Sequence, residues 1–148
     1  MIAVRFSPNL TTVIAASRDY FERHPKPEHP RDLVNHRCIK RRFTNGSIYR
    51  WEFEKDGQEL VVAVDGPLVV SEDRLALLAA LNGAGLAYLF DMRVHAELAS
   101  GRLVRVLEDW CAPYPGPFLY YPSRRQMRPA LRAFIDFFRY VEKDRGGR

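Results

Sequence analysis

Catalysis or metal binding would have to begin from histidine, serine, cysteine and acidic side chains, and in this sequence their spacing supports neither. His95-Ala96-Glu97 supplies the H-x-E half of a zinc-deaminase signature, but the P-C-x-x-C half is missing and Cys111 stands alone. His24, His29 and His36 gather in and just after a proline-rich stretch, at a spacing that matches no familiar zinc site. No G-x-S-x-G nucleophile turn is present. Ser47 and Ser100 each adjoin a glycine, which turn chemistry explains. Gly83-x-Gly85 follows a helical pattern and precedes a strand, the reverse of the order in a phosphate-binding loop. The sequence therefore predicts no enzyme, no cofactor and no metal.

Ligand binding has better candidates. "RRFTNGSIYRW" (residues 41–51) brings two arginines, an aromatic ring, a hydroxyl and an amide into one loop after a strand. Loops at strand ends of α/β sheets are where ligands dock. Arg42, with Phe43, Thr44 and Asn45 beside it, suits a bidentate grip on a carboxylate. Ser71-Glu72-Asp73 opens a helical pattern. Its two acids already complement the positive helix end and would repel an anion, so a polar or cationic ligand group fits Ser71 better, if any does.

The elements that must position these residues alternate. Short strands are expected at 1–6 and 13–16, with a turn at 7–9 between them. Ser17 is a good cap for a helix over 18–23, and "HPKPEHP" (24–30) is a connector. A strand at 38–43 leads to "YRWEFE" (49–54), whose period-2 pattern reads as a half-buried strand. Asp56-Gly57 turns it back into 59–64. After an extended piece at 68–70, "DRLALLAALN" (73–82) reads as a well-buried helix, apolar on nearly every side, closed by Asn82-Gly83. A buried strand (86–90), a short helix (91–98) and an amphipathic strand (103–107) follow. Then come a rigid loop (111–117), a strand (118–121) and a helix entered at Pro129. That last helix carries Leu131, Phe134, Ile135, Phe138 and Val141 on one stripe. Alternation of this kind argues an α/β fold, with a possible parallel crossover through 68–90 and an antiparallel hairpin at 56–57.

Totals set the outer limits. A chain of 148 residues with 47% hydrophobic and 28% charged residues suits one domain or two small lobes. No apolar run is long enough to span a bilayer, and the start is charged too soon for a secretory signal. A cytoplasmic protein without membrane contact is the expectation. The net charge of +5 concentrates in "RCIKRR", "RRQMR" and "KDRGGR", which read as solvated surface. Cys38 and Cys111 read as two reduced, packed thiols.

Taken in order, several segments resemble the C-terminal effector-binding domain of LysR-type transcriptional regulators. They are "IAVR", "VIAASRDYFERHPKPEHPRDLVNHRCI", the stretch from "RRFTNGSIYRWEF" to "GAGLAYLF", "LASGRLVRVLEDW" and "FLYYPSRRQMRPALRAFIDFF", and they span nearly the whole chain. The resemblance implies a fold like the type 2 periplasmic binding proteins, with two α/β lobes, two crossing strands and a small effector in the cleft. It assigns 1–16 to a remnant of the first lobe plus the first crossing strand (13–16), and 17–117 to a complete second lobe. Residues 118–148 become the second crossing strand and a helix returning to the first lobe.

Two departures from the family pattern matter. The family's winged helix-turn-helix and the opening of its first lobe have no counterpart here, so sequence-specific DNA binding by these residues is not expected. An incomplete cleft should hold its effector, an organic acid or aromatic, weakly, and the uncovered stripe around Phe134, Ile135 and Phe138 should associate with itself or with a full-length homologue. An interaction module that binds no ligand is the alternative. Secondly, Phe90-Asp91 replaces a common proline, so Phe90 is expected to project toward the ligand and Asp91 to cap the helix.

Overall fold

Six consecutive residues without a charge, 12–17, are buried, and the larger part of the fold is arranged around them. In a computed structural model that describes residues 2–5, 9–114, 118–121, 128–134 and 136–137, the strands and helices run in this order. First come β1 (Ile2–Arg5), β2 (Thr12–Ser17), α1 (Arg18–Arg23), β3 (Lys40–Arg41), β4 (Trp51–Lys55) and β5 (Gln58–Val62). Then follow β6 (Val69–Val70), α2 (Asp73–Leu81), β7 (Ala87–Phe90), α3 (Asp91–Ala99), β8 (Leu103–Val106) and β9 (Phe118–Tyr121). Short 3-10 segments occupy Pro30–Asn35 and Glu108–Trp110.

The chain divides into two units. Met1–Leu10 with Pro113–Arg148 forms one, and Thr11–Ala112 the other. In the smaller unit β1 pairs antiparallel with β9, Ile2 opposite Tyr121 and Arg5 opposite Phe118. Residues 129–134 and 136–137 are helical, as the entry at Pro129 predicts. Leu131 is half-buried there and Phe134 is exposed. The turn residues Ser7 and Pro8, the loop 115–117, the basic stretch 124–127, Lys143 with the tail, and Ile135, Phe138 and Val141 lie outside the described residues.

In the larger unit β2 is the middle strand of a sheet, antiparallel to both β7 and β8. Its side chains alternate between two cores. Val13 and Ala15 join Ile39, Ala76, Ala80, Leu89 and Val94 on the α2/α3 face, and Ile14 and Ala16 join Tyr20, Leu33, Trp51 and Trp110 on the other. A strand buried on both faces must be apolar throughout, which is why "VIAA" lacks a polar alternation. The strand lies within the unit that runs from Thr11 to Ala112.

Residues 38–42 extend the sheet. The N–H groups of Cys38, Lys40 and Arg42 donate to Asp65, Leu68 and Val70, while that of Ile39 donates in the opposite direction to Leu86. This segment therefore lies between β6 and β7, parallel to both. The two ends of the expected crossover are not neighbours; the 38–42 strand is inserted between them. Two close backbone approaches allow it. A Cβ on Gly66 would sit 2.1 Å from the Cys38 carbonyl oxygen, and one on Gly85 would sit 2.1 Å from that of Arg37.

α2 ends in a Schellman motif. The Ala84 N–H donates to Ala79 and the Gly83 N–H to Ala80, with Gly83 at φ +79°. The expectation of deep burial for this helix does not hold. Ala76 and Ala80 face the sheet, while Leu75 and Leu78 are exposed. Small residues bring the helix close, and its leucines are left on the outer side. The hairpin β4–β5 turns through Asp56 (φ 51°) and Gly57 (φ 78°), the left-handed pair that a type I′ turn requires.

Candidate functional site

The parallel strands end together at Phe43, Ser71 and Phe90, and there the larger unit is hollow. A cavity of about 190 Å³ is lined by Ile39, Arg41, Phe43, Tyr49, Trp51, Asp73, Ala76, Tyr88 and Phe90. Alternation along 38–43 decides who reaches it. Odd positions face the cavity, and even positions turn the other way, Lys40 to Asp65 at 3.3 Å.

Aromatic rings form one wall. Phe43 meets Tyr49 edge-on at 5.6 Å, Tyr49 meets Tyr88 at 5.3 Å, and Tyr88 lies 5.7 Å from Trp51. Trp51 is almost fully buried, as the β4 alternation predicts. The Tyr88 hydroxyl accepts from Thr12 Oγ1 at 3.2 Å and from Tyr49 at 3.5 Å, and donates to the Glu52 carbonyl at 3.4 Å. Burial pushes its pKa up, so it stays a phenol.

Arg41 is the cation of the site. Its Nη1 donates to Asp73 Oδ1 at 2.5 Å, and its guanidinium lies 5.8 Å from the centre of the Phe43 ring. Its Nε is buried and has no hydrogen-bond partner among the described residues. A buried donor left unpaired costs about 1–3 kcal/mol. Asp73, in the first turn of α2, is thereby held by Arg41 and does not stand as a free repelling charge.

Of the residues singled out in the sequence, the structure brings Phe43 and Phe90 to this cavity. Arg42, Thr44, Asn45, Ser71 and Asp91 are not among its lining. Arg42 is exposed and bridges to Ile48 across the loop. Asn45 serves the turn itself: its Oδ1 accepts from the Ser47 N–H at 2.9 Å and from Ser47 Oγ at 2.6 Å. Thr44 and Ser71 are exposed. Asp91 is the first residue of α3 and not its cap. Phe90 holds the cap position, no side chain caps the helix, and the Asp91 N–H donates to the Thr11 carbonyl. Arg41, Tyr49 and Trp51 fall within the 41–51 stretch and Asp73 within 71–73, but these residues and Tyr88 were not picked out individually. Strand parity was the available signal, because Ile39 and Phe43 are apolar and Arg41 lies between them at the same parity.

Three of the four histidines have structural employment. His24 stacks on Tyr20 at 4.4 Å. The Tyr20 hydroxyl accepts from the Arg37 N–H at 3.1 Å and is hydrogen-bonded to His36 Nδ1 at 2.9 Å. His29 caps the Pro30–Asn35 segment in a reciprocal box with Asp32. His95 is exposed on α3. Among the described residues no cluster of three or more metal-ligating side chains occurs. Burial pushes the Cys38 thiol up to about 12 and that of Cys111 to about 11, which makes both poor nucleophiles at neutral pH. Among the described residues, too, no helix is long and apolar enough to cross a membrane.

Comparison with known proteins places this architecture. Residues 7–142 match the LysR substrate binding domain. The chain is 43% identical over 142 residues to a putative transcriptional regulator of Pseudomonas aeruginosa, covering 95% of this chain and 46% of that protein. It is 42% identical over 137 residues to the HTH-type regulator YcaN of Escherichia coli, covering 93% and 44%. It thus spans a little under half the length of these relatives. Among solved structures, the full-length virulence activator AphB of Vibrio cholerae superposes with a TM-score of 0.76 at 25% identity, over 93% of this chain and 46% of that one. The α/β architecture is that of the regulatory domains of such proteins, the type 2 periplasmic-binding-protein-like fold. With a family match over most of its length and the parallel strand ends hollowed into an aromatic cavity, the chain belongs to the LysR substrate-binding domain family of transcriptional regulators.

Proposed function

We propose that this domain senses a small organic acid with a planar or aromatic body, held at the Arg41 cavity. The observation that carries the reading is the Arg41 guanidinium: it enters an aromatic-walled hollow with a buried Nε that nothing in the described protein satisfies. A ligand carboxylate would supply the missing acceptor, and Phe43, Tyr49 and Tyr88 would flank its body. Phe43 and Phe90 keep the role expected of them, and Arg41 takes the one expected of Arg42. Leu75 and Leu78, both exposed on α2, favour association with a second copy or a longer homologue, in the cytoplasm where such regulators act.

The test is a thermal-shift series with benzoate and related aromatic carboxylates. A ligand at ~100 times its Kd should stabilise the fold by about 2.7 kcal/mol. Arg41→Gln should abolish that gain and Arg42→Gln should leave it. Equal stabilisation of the Arg41→Gln variant would sink the reading, and a concentration-independent monomer in sedimentation velocity would remove the association.

A further inference from the structure

A second hollow lies beside the first. It has a volume of about 270 Å³ and is lined by Asp73, Arg74, Leu77, Leu89, Phe90, Arg93 and Val94. Asp73 and Phe90 are common to both linings and form the partition between the two cavities. Its floor is apolar: Leu89 is 2% exposed and Val94 fully buried. Its rim carries Arg74 from α2 and Arg93 from α3, both exposed.

Charge balance distinguishes this hollow from ordinary surface. The one carboxylate in its lining, Asp73, is bound to Arg41. Neither Arg74 nor Arg93 has an ion-pair partner among the described residues. Glu72, exposed ahead of α2, and Asp91, in the first turn of α3, are the nearest other acids in sequence, and neither is in the lining. Both helix starts are therefore already complemented by acidic residues, and attraction for an anion falls to the two arginines.

We infer that this α2–α3 hollow is a second ligand site, for a small carboxylate with a flexible apolar tail. The tail lies on Leu77, Leu89, Phe90 and Val94, and the carboxylate meets Arg74 and Arg93 at the rim. A charge-assisted hydrogen bond to a guanidinium is stronger than a neutral one, so an uncharged molecule of the same length should bind less well. The site does not require the Arg41 cavity to be occupied.

Hexanoate is the probe and 1-hexanol its neutral counterpart, each titrated into the 148-residue chain. Binding is read by calorimetry and by methyl NMR shifts of Leu77, Leu89 and Val94. Hexanoate should move those methyls and bind at least about 10-fold more tightly than hexanol. The exposed double variant Arg74→Gln/Arg93→Gln should weaken hexanoate about 10-fold or more, and Arg42→Gln, exposed and in neither lining, should change it less than about 2-fold. The inference is overturned if the methyls stay still, if hexanol binds as well as hexanoate, or if the double variant binds hexanoate as tightly as the parent chain. Failure here leaves the benzoate test of the Arg41 cavity untouched.

Discussion

Tyr20 with His36 and Arg41 with Tyr88 are built from the same kinds of residue, aromatic rings beside basic groups. They differ in how far their polar atoms are satisfied. Around Tyr20 the hydroxyl has the Arg37 N–H on one side and His36 on the other, and His24 covers the ring. Around Arg41 a buried N–H is left without a partner beside an open cavity. Arg105 Nε is buried and unpaired too but lines neither cavity, so it is the unpaired donor together with the open hollow that singles out Arg41.

The largest test breaks the support common to both regions. Residues 37 and 38 connect His36 to the strand that carries Arg41, and Gly66 lies against the Cys38 backbone. Gly66→Ala forces a Cβ into that carbonyl, and its neighbour is backbone that cannot rotate away. We expect a loss of about 3 kcal/mol or more in urea denaturation, with both regions disrupted together. A smaller test separates them. Tyr20→Phe leaves the Arg37 N–H and His36 unpaired and should cost about 1–3 kcal/mol, with ligand binding at the Arg41 cavity unchanged.

The same cluster has a pH signature. Burial, then the nearby His24, holds His36 below its ordinary pKa of 6.5. The unfolded chain therefore takes up the proton first. Stability should be fully present above about pH 6.5, fall as the pH drops through that value toward the folded pKa, and flatten below it. A His36→Gln variant should lose this part of the slope in denaturation curves measured across the range. The smallest expected effect is at the loop: Asn45→Ala should shift stability by about 0.5 kcal/mol or less and leave carboxylate binding intact. A large loss of binding there would return the turn to the site.

Much of the frame was legible because local rules and tertiary packing agreed. Ser17 caps α1 by accepting from the Tyr20 N–H, Asp56-Gly57 makes its turn, and Gly83 closes α2, all as their residue types dictate. The site was less legible because it depends on parity and on depth. Arg41 and Arg42 are chemically identical, and only the ladder fixes which one faces the cavity. Likewise, "LALLAAL" (75–81) is apolar all round, and only the sheet beneath it selects Ala76 and Ala80 for burial over Leu75 and Leu78. Residues 13–16 are a related case: a strand buried on both faces has no alternation to show where its partners lie.

If the Arg41 cavity holds the ligand as proposed, the 38–42 strand separates recognition from folding. Its ladder is made entirely by main-chain groups, so it is indifferent to the side chain at 41. On the proposed reading, exchange of Arg41 for a neutral residue would change ligand preference on the same ladder, with loss of the ion pair to Asp73. Insertion of a single residue before it would instead swing the guanidinium to the opposite face. Point substitution is thus the route by which this position can diversify, and changes in length are closed to it.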